Sequence, residues 1–168
     1  MFLNDKEILK LIREKDLIRN YRDLSKQIQP NGFDLTVGQI FKFSEGGIID
    51  FSNLDRRIPE TETIKLNPVN EVYYLKQGSY KVEYNEIIKL PKNLCALSIH
   101  RSSMLRCGIT VETGVWDAGY EGRGKTLLVV HNEYGLVLTS NAKIAQMLFI
   151  PINEAKEIYK GIYQKEGV

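Results

Sequence analysis

Residues 99–122 hold most of the side chains that could do chemistry. Arg101, Ser102 and Ser103, followed by Arg106, set two cations and two hydroxyls within six positions. That set suits a polyanion such as phosphate, because guanidinium donors form a rigid fork that matches phosphate oxygens. Further on, Asp117-Ala118-Gly119-Tyr120-Glu121-Gly122 puts a carboxylate beside an aromatic ring in a glycine turn. An Asp so placed could activate water or orient a metal. The ring could stack on a base or a sugar. A second carboxylate, Asp34, follows the turn Pro30-Asn31-Gly32. A turn Asp often does no more than cap its own backbone, and the alternative is a carboxylate on the metal or phosphate side.

These groups need elements to hold them. Residues 4–17 read as a helix, with Ile8, Leu9, Leu11 and Ile12 in a stripe at helical spacing. Asn4 and Glu7 have the spacing of a capping box. From Pro30 the chain turns and then alternates as a strand through Val37. Residues 39–66 read as short edge strands and long loops. Beyond Glu71, alternation as in Tyr80-Lys81-Val82-Glu83-Tyr84, with turn signals every eight to twelve residues, points to an antiparallel sandwich or barrel. Residues 102–107 suit one helical turn, 108–116 a hairpin arm, and 125–132, 135–139 and 144–151 strands. No βαβ alternation appears, which argues against a doubly wound nucleotide fold. In the tail, residues 153–168, two tyrosines, two lysines and a glutamine would suit a flap over a phosphorylated ligand.

The chain has 168 residues, with 43% hydrophobic and 26% charged. That is enough to bury the core of one globular domain. A net charge of +2 gives no global attraction to nucleic acid or acidic membranes, so any anion affinity is local. Cys95 and Cys107 form neither a metal spacing nor a disulfide framework. Charges at Asp5, Lys6, Glu7 and Lys10 are unlike an export signal. No apolar run approaches the roughly 20 residues of a spanning helix. The chain reads as soluble and cytoplasmic.

Several motifs occur in one order: Pro-Asn-Gly-Phe-Asp-Leu, Leu-Pro at 90 and 91, Arg-Ser-Ser-x-x-Arg-x-Gly, Asp-x-Gly-Tyr-Glu-Gly, Lys-Ile-Ala-Gln-Met-Leu-Phe at 143–149, and a terminal Gly-x-Tyr-Gln. Together they resemble the dUTPase and dCTP deaminase superfamily over nearly the whole chain, closest to the archaeal-type dUTPase branch on the deaminase-like scaffold. The resemblance implies a mainly β, distorted jelly roll with an N-terminal helix segment over 1–20. It also implies a homotrimer with active sites at subunit interfaces, and a C-terminal tail closing over each site.

Members of this superfamily hydrolyse dUTP, deaminate dCTP, or do both. Deamination needs a glutamate on the strand after the Gly-Tyr turn. Val129 stands at that position, with Leu127 or Leu128 as the alternatives if the alignment carries a gap. None can carry a proton, so the resemblance implies dUTP hydrolysis to dUMP and pyrophosphate. A dCTP deaminase, a bifunctional enzyme and a non-catalytic nucleotide-sensing trimer are the alternatives. By resemblance, Asp117 activates the attacking water, Ser102 stabilises the leaving group, and Gln146 contacts the phosphates or orders water. Ser103 serves the phosphates, Arg101 and Arg106 hold the phosphates or the motif architecture, Thr113 and Gly114 read the base edge, and Tyr120 packs on the deoxyribose. Tyr163 and Gln164 belong to the closing tail. Mg²⁺ is the implied cofactor, held mainly by the triphosphate with Asp34 acting through water. His131 and Glu112 read as ordinary strand residues.

Overall fold

A computed structural model describes all 168 residues. The N-terminal helix, α1 (Asp5–Lys15), begins where the capping pattern places it. Asn4 accepts from the Glu7 N–H, and the Glu7 carboxylate accepts from the Asn4 N–H. It ends two residues before the expected Leu17, because Asp16 adopts a left-handed conformation and turns the chain. Ile8 and Ile12 are the buried residues of its inner face. Leu17 then enters the core as the chain leads into the short strand β1 (Ile18–Arg19). A four-residue helix, α2 (Leu24–Gln27), capped by Asp23, precedes β2 (Ile28–Gln29). The sequence carries no apolar periodicity to announce either of these short elements.

The scaffold is an antiparallel jelly roll. Its strands are β3 (Gly32–Phe43), β4 (Thr61–Thr63), β5 (Val72–Leu75), β6 (Gly78–Lys89), β7 (Leu94–His100), β8 (Ile109–Glu112), β9 (Glu121–Val130), β10 (Leu136–Thr139) and β11 (Lys143–Pro151). One large sheet runs β7-β11-β3-β6-β9-β8, with β1 on β6 and β2 and β4 on β3. A second sheet pairs β10 with β5. The helix α3 (Ser102–Arg106) fills the expected helical turn.

Strand β3 joins the two halves of the roll. Its first residues, Phe33–Thr36, pair with β11, and Val37–Lys42 pair with β6, with an irregularity between Val37 and Gln39. Gly38 sits at that irregularity, where a Cβ would lie 3.0 Å from Asn85 Oδ1 and 3.1 Å from Glu83 O. The far edges meet as well. Beyond β8, Trp116 forms an antiparallel bridge to Ala96 of β7, and Thr113 Oγ1 donates to Ser98 O at 2.9 Å. The sheet thereby curls shut on itself.

The core follows strand alternation. Tyr80, Val82 and Tyr84 of β6, Leu128 and Val130 of β9, and Ala145, Met147 and Phe149 of β11 all point inward. Strand β9 begins at Glu121, four residues before the expected Lys125. Its opening Gly122 reads as a turn residue in sequence, yet Gly122 and Gly124 are both strand positions crossed closely by side chains. Tyr120 Oη lies 2.6 Å from where a Gly122 Cβ would be, and the Trp116 ring occupies the corresponding space at Gly124. No helix is long and apolar enough to cross a membrane.

Candidate active site

A cavity of about 520 Å³ lies between the arm after β8, the start of β9 and the C-terminal tail. That volume falls within the usual range for small-molecule sites. Asp117, Gly114, Tyr120 and Tyr163 line it, so four of the sequence-predicted residues converge there. Trp116 and Tyr120 form its buried aromatic wall. Their rings meet edge to face at 5.3 Å, and Tyr159 from the tail meets Tyr120 at 5.6 Å. Burial, with the Glu166 charge nearby, pushes the Tyr120 hydroxyl far above its ordinary value, so the wall stays uncharged.

The arm is held by its own hydroxyl contacts. Thr113 does not line the cavity; its Oγ1 is committed to Ser98 O at 2.9 Å. Thr126 Oγ1 donates to Glu112 O at 2.6 Å. These bonds fix the backbone of residues 112–114 at the cavity edge, where fixed N–H and C=O groups could read a base. Asp117 is exposed, and its carboxylate has no bonded partner.

The cavity also contains groups that the motifs did not flag. Lys81, Glu112, Lys125 and Glu166 all line it. Strand alternation could have found Lys125 and Leu127, which share one face of β9. Glu112 lies directly across the ladder from Leu127 and is exposed to the cavity, so it is more than an outward strand residue. Of the three positions at which a deaminase glutamate would be sought, Leu127 is the one that lines the cavity. His131 is exposed just past β9 and meets Thr110 Oγ1 at 3.1 Å, outside the cavity.

The remaining candidates form a second cluster. Asp34, 1% exposed, receives Lys143 Nζ at 3.1 Å, Arg101 Nε at 3.3 Å and Gln29 Nε2 at 3.1 Å on one carboxylate oxygen. Gln146 is half-buried and pairs in register with Asp34 on one side and Ile99 on the other. Ser102 and Ser103 open α3 and are exposed, as is Arg106, which has no ion-pair partner. Asp34 therefore works first as the anchor of Arg101 and Lys143, and the cluster keeps an excess of positive charge. Lys143 belongs to it as well; it opens the 143–149 motif, but no role follows for it from the sequence alone. No group of three or more His, Cys, Asp or Glu side chains forms a metal cage.

One chain does not bring the two clusters together. Trp116 is bridged to Ala96, and Arg101 stands five residues further along the β7 direction. At about 3.3 Å per residue, that separation is roughly 16 Å. None of Arg101, Ser102, Ser103, Arg106, Gln146 and Asp34 lines the cavity that holds Asp117. Gln164 also stays out of the cavity. Its Nε2 donates to Gly119 O and its Oε1 accepts from the Glu121 N–H, both at 2.9 Å.

A family model described as dCTP deaminase-like matches residues 2–152. A probable deoxyuridine 5'-triphosphate nucleotidohydrolase of Archaeoglobus fulgidus is 42% identical over 166 residues, covering 99% of this chain and 97% of the relative. One from Methanosarcina mazei is 43% identical over 167 residues, covering 98% and 97%. The deoxyuridine 5'-triphosphate nucleotidohydrolase of Methanocaldococcus jannaschii is 40% identical over 139 residues, covering 83% and 88%. Among solved structures, the 2'-deoxycytidine 5'-triphosphate deaminase from Agrobacterium tumefaciens superposes with a TM-score of 0.69 at 22% identity. That match covers 88% of this chain and 47% of the longer solved one, and it speaks for the fold.

Proposed function

The chain belongs to the dCTP deaminase-like family, and we propose that it is a dUTP diphosphatase, releasing dUMP and pyrophosphate. One observation carries the reading. The cavity joins an unpartnered carboxylate, Asp117, to the buried Tyr120 wall and a fixed backbone edge, while β9 presents Leu127 and no carboxylate to it. The archaeal nucleotidohydrolases at 40–43% identity support the substrate.

In this reading Asp117 takes a proton from a water molecule, whose oxygen attacks the α-phosphorus. The bond to the bridging oxygen breaks, and its electron pair leaves with pyrophosphate. Tyr120 packs against the deoxyribose and leaves no room for a 2'-hydroxyl. Backbone at Thr113 and Gly114 reads the uracil edge. Ser102 donates to the leaving group, Arg101, Ser103 and Arg106 hold the phosphates, and Gln146 orders them or the water. Tyr163 and Gln164 belong to the tail that closes the site. Most of the rate enhancement then comes from positioning and charge neutralisation.

The roughly 16 Å between the two clusters supports a homotrimer, in which Asp117 of one copy faces Ser102 of the next. Mg²⁺ is the cofactor of this reading and neutralises phosphate charge when bound. The donor set fits a cation carried by triphosphate oxygens, since Asp34 is already paired with Arg101 and Lys143 and would reach it only through water. The reading places the reaction in the cytoplasm, in pyrimidine deoxynucleotide metabolism.

Incubation with dUTP, dCTP, dTTP and UTP in separate Mg²⁺ reactions, with pyrophosphate and ammonia assayed together, tests the assignment. Pyrophosphate from dUTP, and none from UTP, is expected. Ammonia from dCTP would contradict it and turn attention to Glu112, the carboxylate opposite Leu127.

A further inference from the structure

The C-terminal tail does not hang free of the fold. Tyr159 N–H donates to Ala118 O at 2.9 Å, Lys165 N–H to Glu121 O at 2.6 Å, and Arg123 N–H to Glu166 O at 2.7 Å. With the two Gln164 bonds, the tail tracks residues 118–123 almost as an added strand. The glycines of the motif make room for it. Gly119 has a φ of 81°, and a Cβ there would collide with the Ile158 side chain. A Cβ at Gly122 would lie 3.3 Å from Glu166 O. At the inner end, Glu166 Oε1 meets Lys125 Nζ at 2.5 Å inside the cavity wall. Lys125 also faces Glu83 at 3.5 Å, so it keeps a carboxylate partner on its own scaffold when the tail lifts.

We propose that Lys125 and Glu166 are positioning residues: their ion pair latches residues 158–167 over the cavity of their own chain before any nucleotide binds. The consequence for catalysis rests on the function proposed above; the latch itself does not. The shut strap holds Tyr159 against the Tyr120 wall and Tyr163 at the cavity in advance, so nucleotide meets a cavity already formed. The pair is about 30% exposed on both sides. Solvent therefore screens it, and it acts on how often the strap is shut without deciding whether the protein folds.

Two readouts test this on the full chain. Backbone hydrogen exchange is measured without ligand over residues 158–167 in the wild type, Glu166→Gln, Glu166→Lys, Lys125→Met and the double variant Lys125→Met/Glu166→Gln. Charge reversal at Lys125 is avoided, because Glu83 faces the same ammonium. Protected wild-type amides are expected, with exchange about fivefold faster in each single variant and no further increase in the double variant. In parallel, dUTP turnover should show a KM raised about fivefold in the single variants, kcat changed less than KM, and no further rise in the double variant. Glu166→Gln lies beyond the last core strand, so its exchange pattern is free of folding defects. Three results overturn the latch: tail amides exchanging as fast as unstructured chain in the wild type, single variants indistinguishable from it, or single-variant effects that add in full in the double variant. If no variant and no wild type hydrolyses dUTP, the function fails while the exchange data still decide the latch.

Discussion

Asp117 and Asp34 show how two carboxylates in one chain reach different chemistry. Asp34 is buried with Arg101 and Lys143 on one of its oxygens, so its charge is spent on holding two cations. Asp117 is exposed at the cavity with no bonded partner, so it is free to accept a proton. Both residues stand out in the sequence, but burial and partners separate their roles, and those depend on strands far apart in the chain. Asp117→Asn keeps the size and removes the base. Its kcat is expected to fall by about 10²- to 10⁴-fold while dUTP binding stays within a few-fold. Trp116, the chain's single tryptophan, lines the cavity, so its fluorescence can report that binding separately from turnover. Unchanged turnover would remove Asp117 from the role of base.

At the scale of elements, local signals were legible and long-range ones were not. The capping box of Asn4 and Glu7 is written within four residues, and the structure contains both of its bonds. The tail, by contrast, reads as a flap suited to a phosphorylated ligand, with no local signal for where it docks. Its order comes from contacts with Ala118, Glu121 and Arg123 some forty residues earlier, which no local pattern encodes. The same holds for the buried pin between β3, β6 and α2. Glu86, fully buried, accepts from Thr36 Oγ1 at 2.6 Å, Gln27 Nε2 at 2.7 Å and the Thr36 N–H at 2.9 Å. Burial raises its pKa above the ordinary glutamate value, although these donors pull the other way. The native state therefore keeps the proton to higher pH than the unfolded chain. The stability this group contributes is full below the ordinary glutamate value and declines as pH rises through the raised one. Urea unfolding between about pH 4.5 and 7.5 should show that decline in the wild type relative to Glu86→Gln, which cannot titrate. Parallel curves for the two proteins would contradict it.

For the whole molecule, the decisive feature is that one chain keeps its two clusters of candidate residues apart. The motif order made both clusters visible, since Arg101, Ser102 and Gln146 stand out as readily as Asp117 and Tyr120. Their separation was not visible, because it depends on Trp116 bridging to Ala96 and not to the end of β7 beside Arg101. In the proposed homotrimer, a closed ring of identical chains would let the cavity of one copy meet the cationic cluster of its neighbour. Mixing subunits tests this directly. Asp117→Asn and Ser102→Ala chains are each expected to be inactive alone. Co-assembled in equal amounts, they should recover up to about a quarter of wild-type dUTP hydrolysis, the fraction of random interfaces that pair an intact Asp117 with an intact Ser102. Were the site complete within one chain, every site in the mixture would keep a defect, and co-assembled trimers as inactive as their parents would contradict the account.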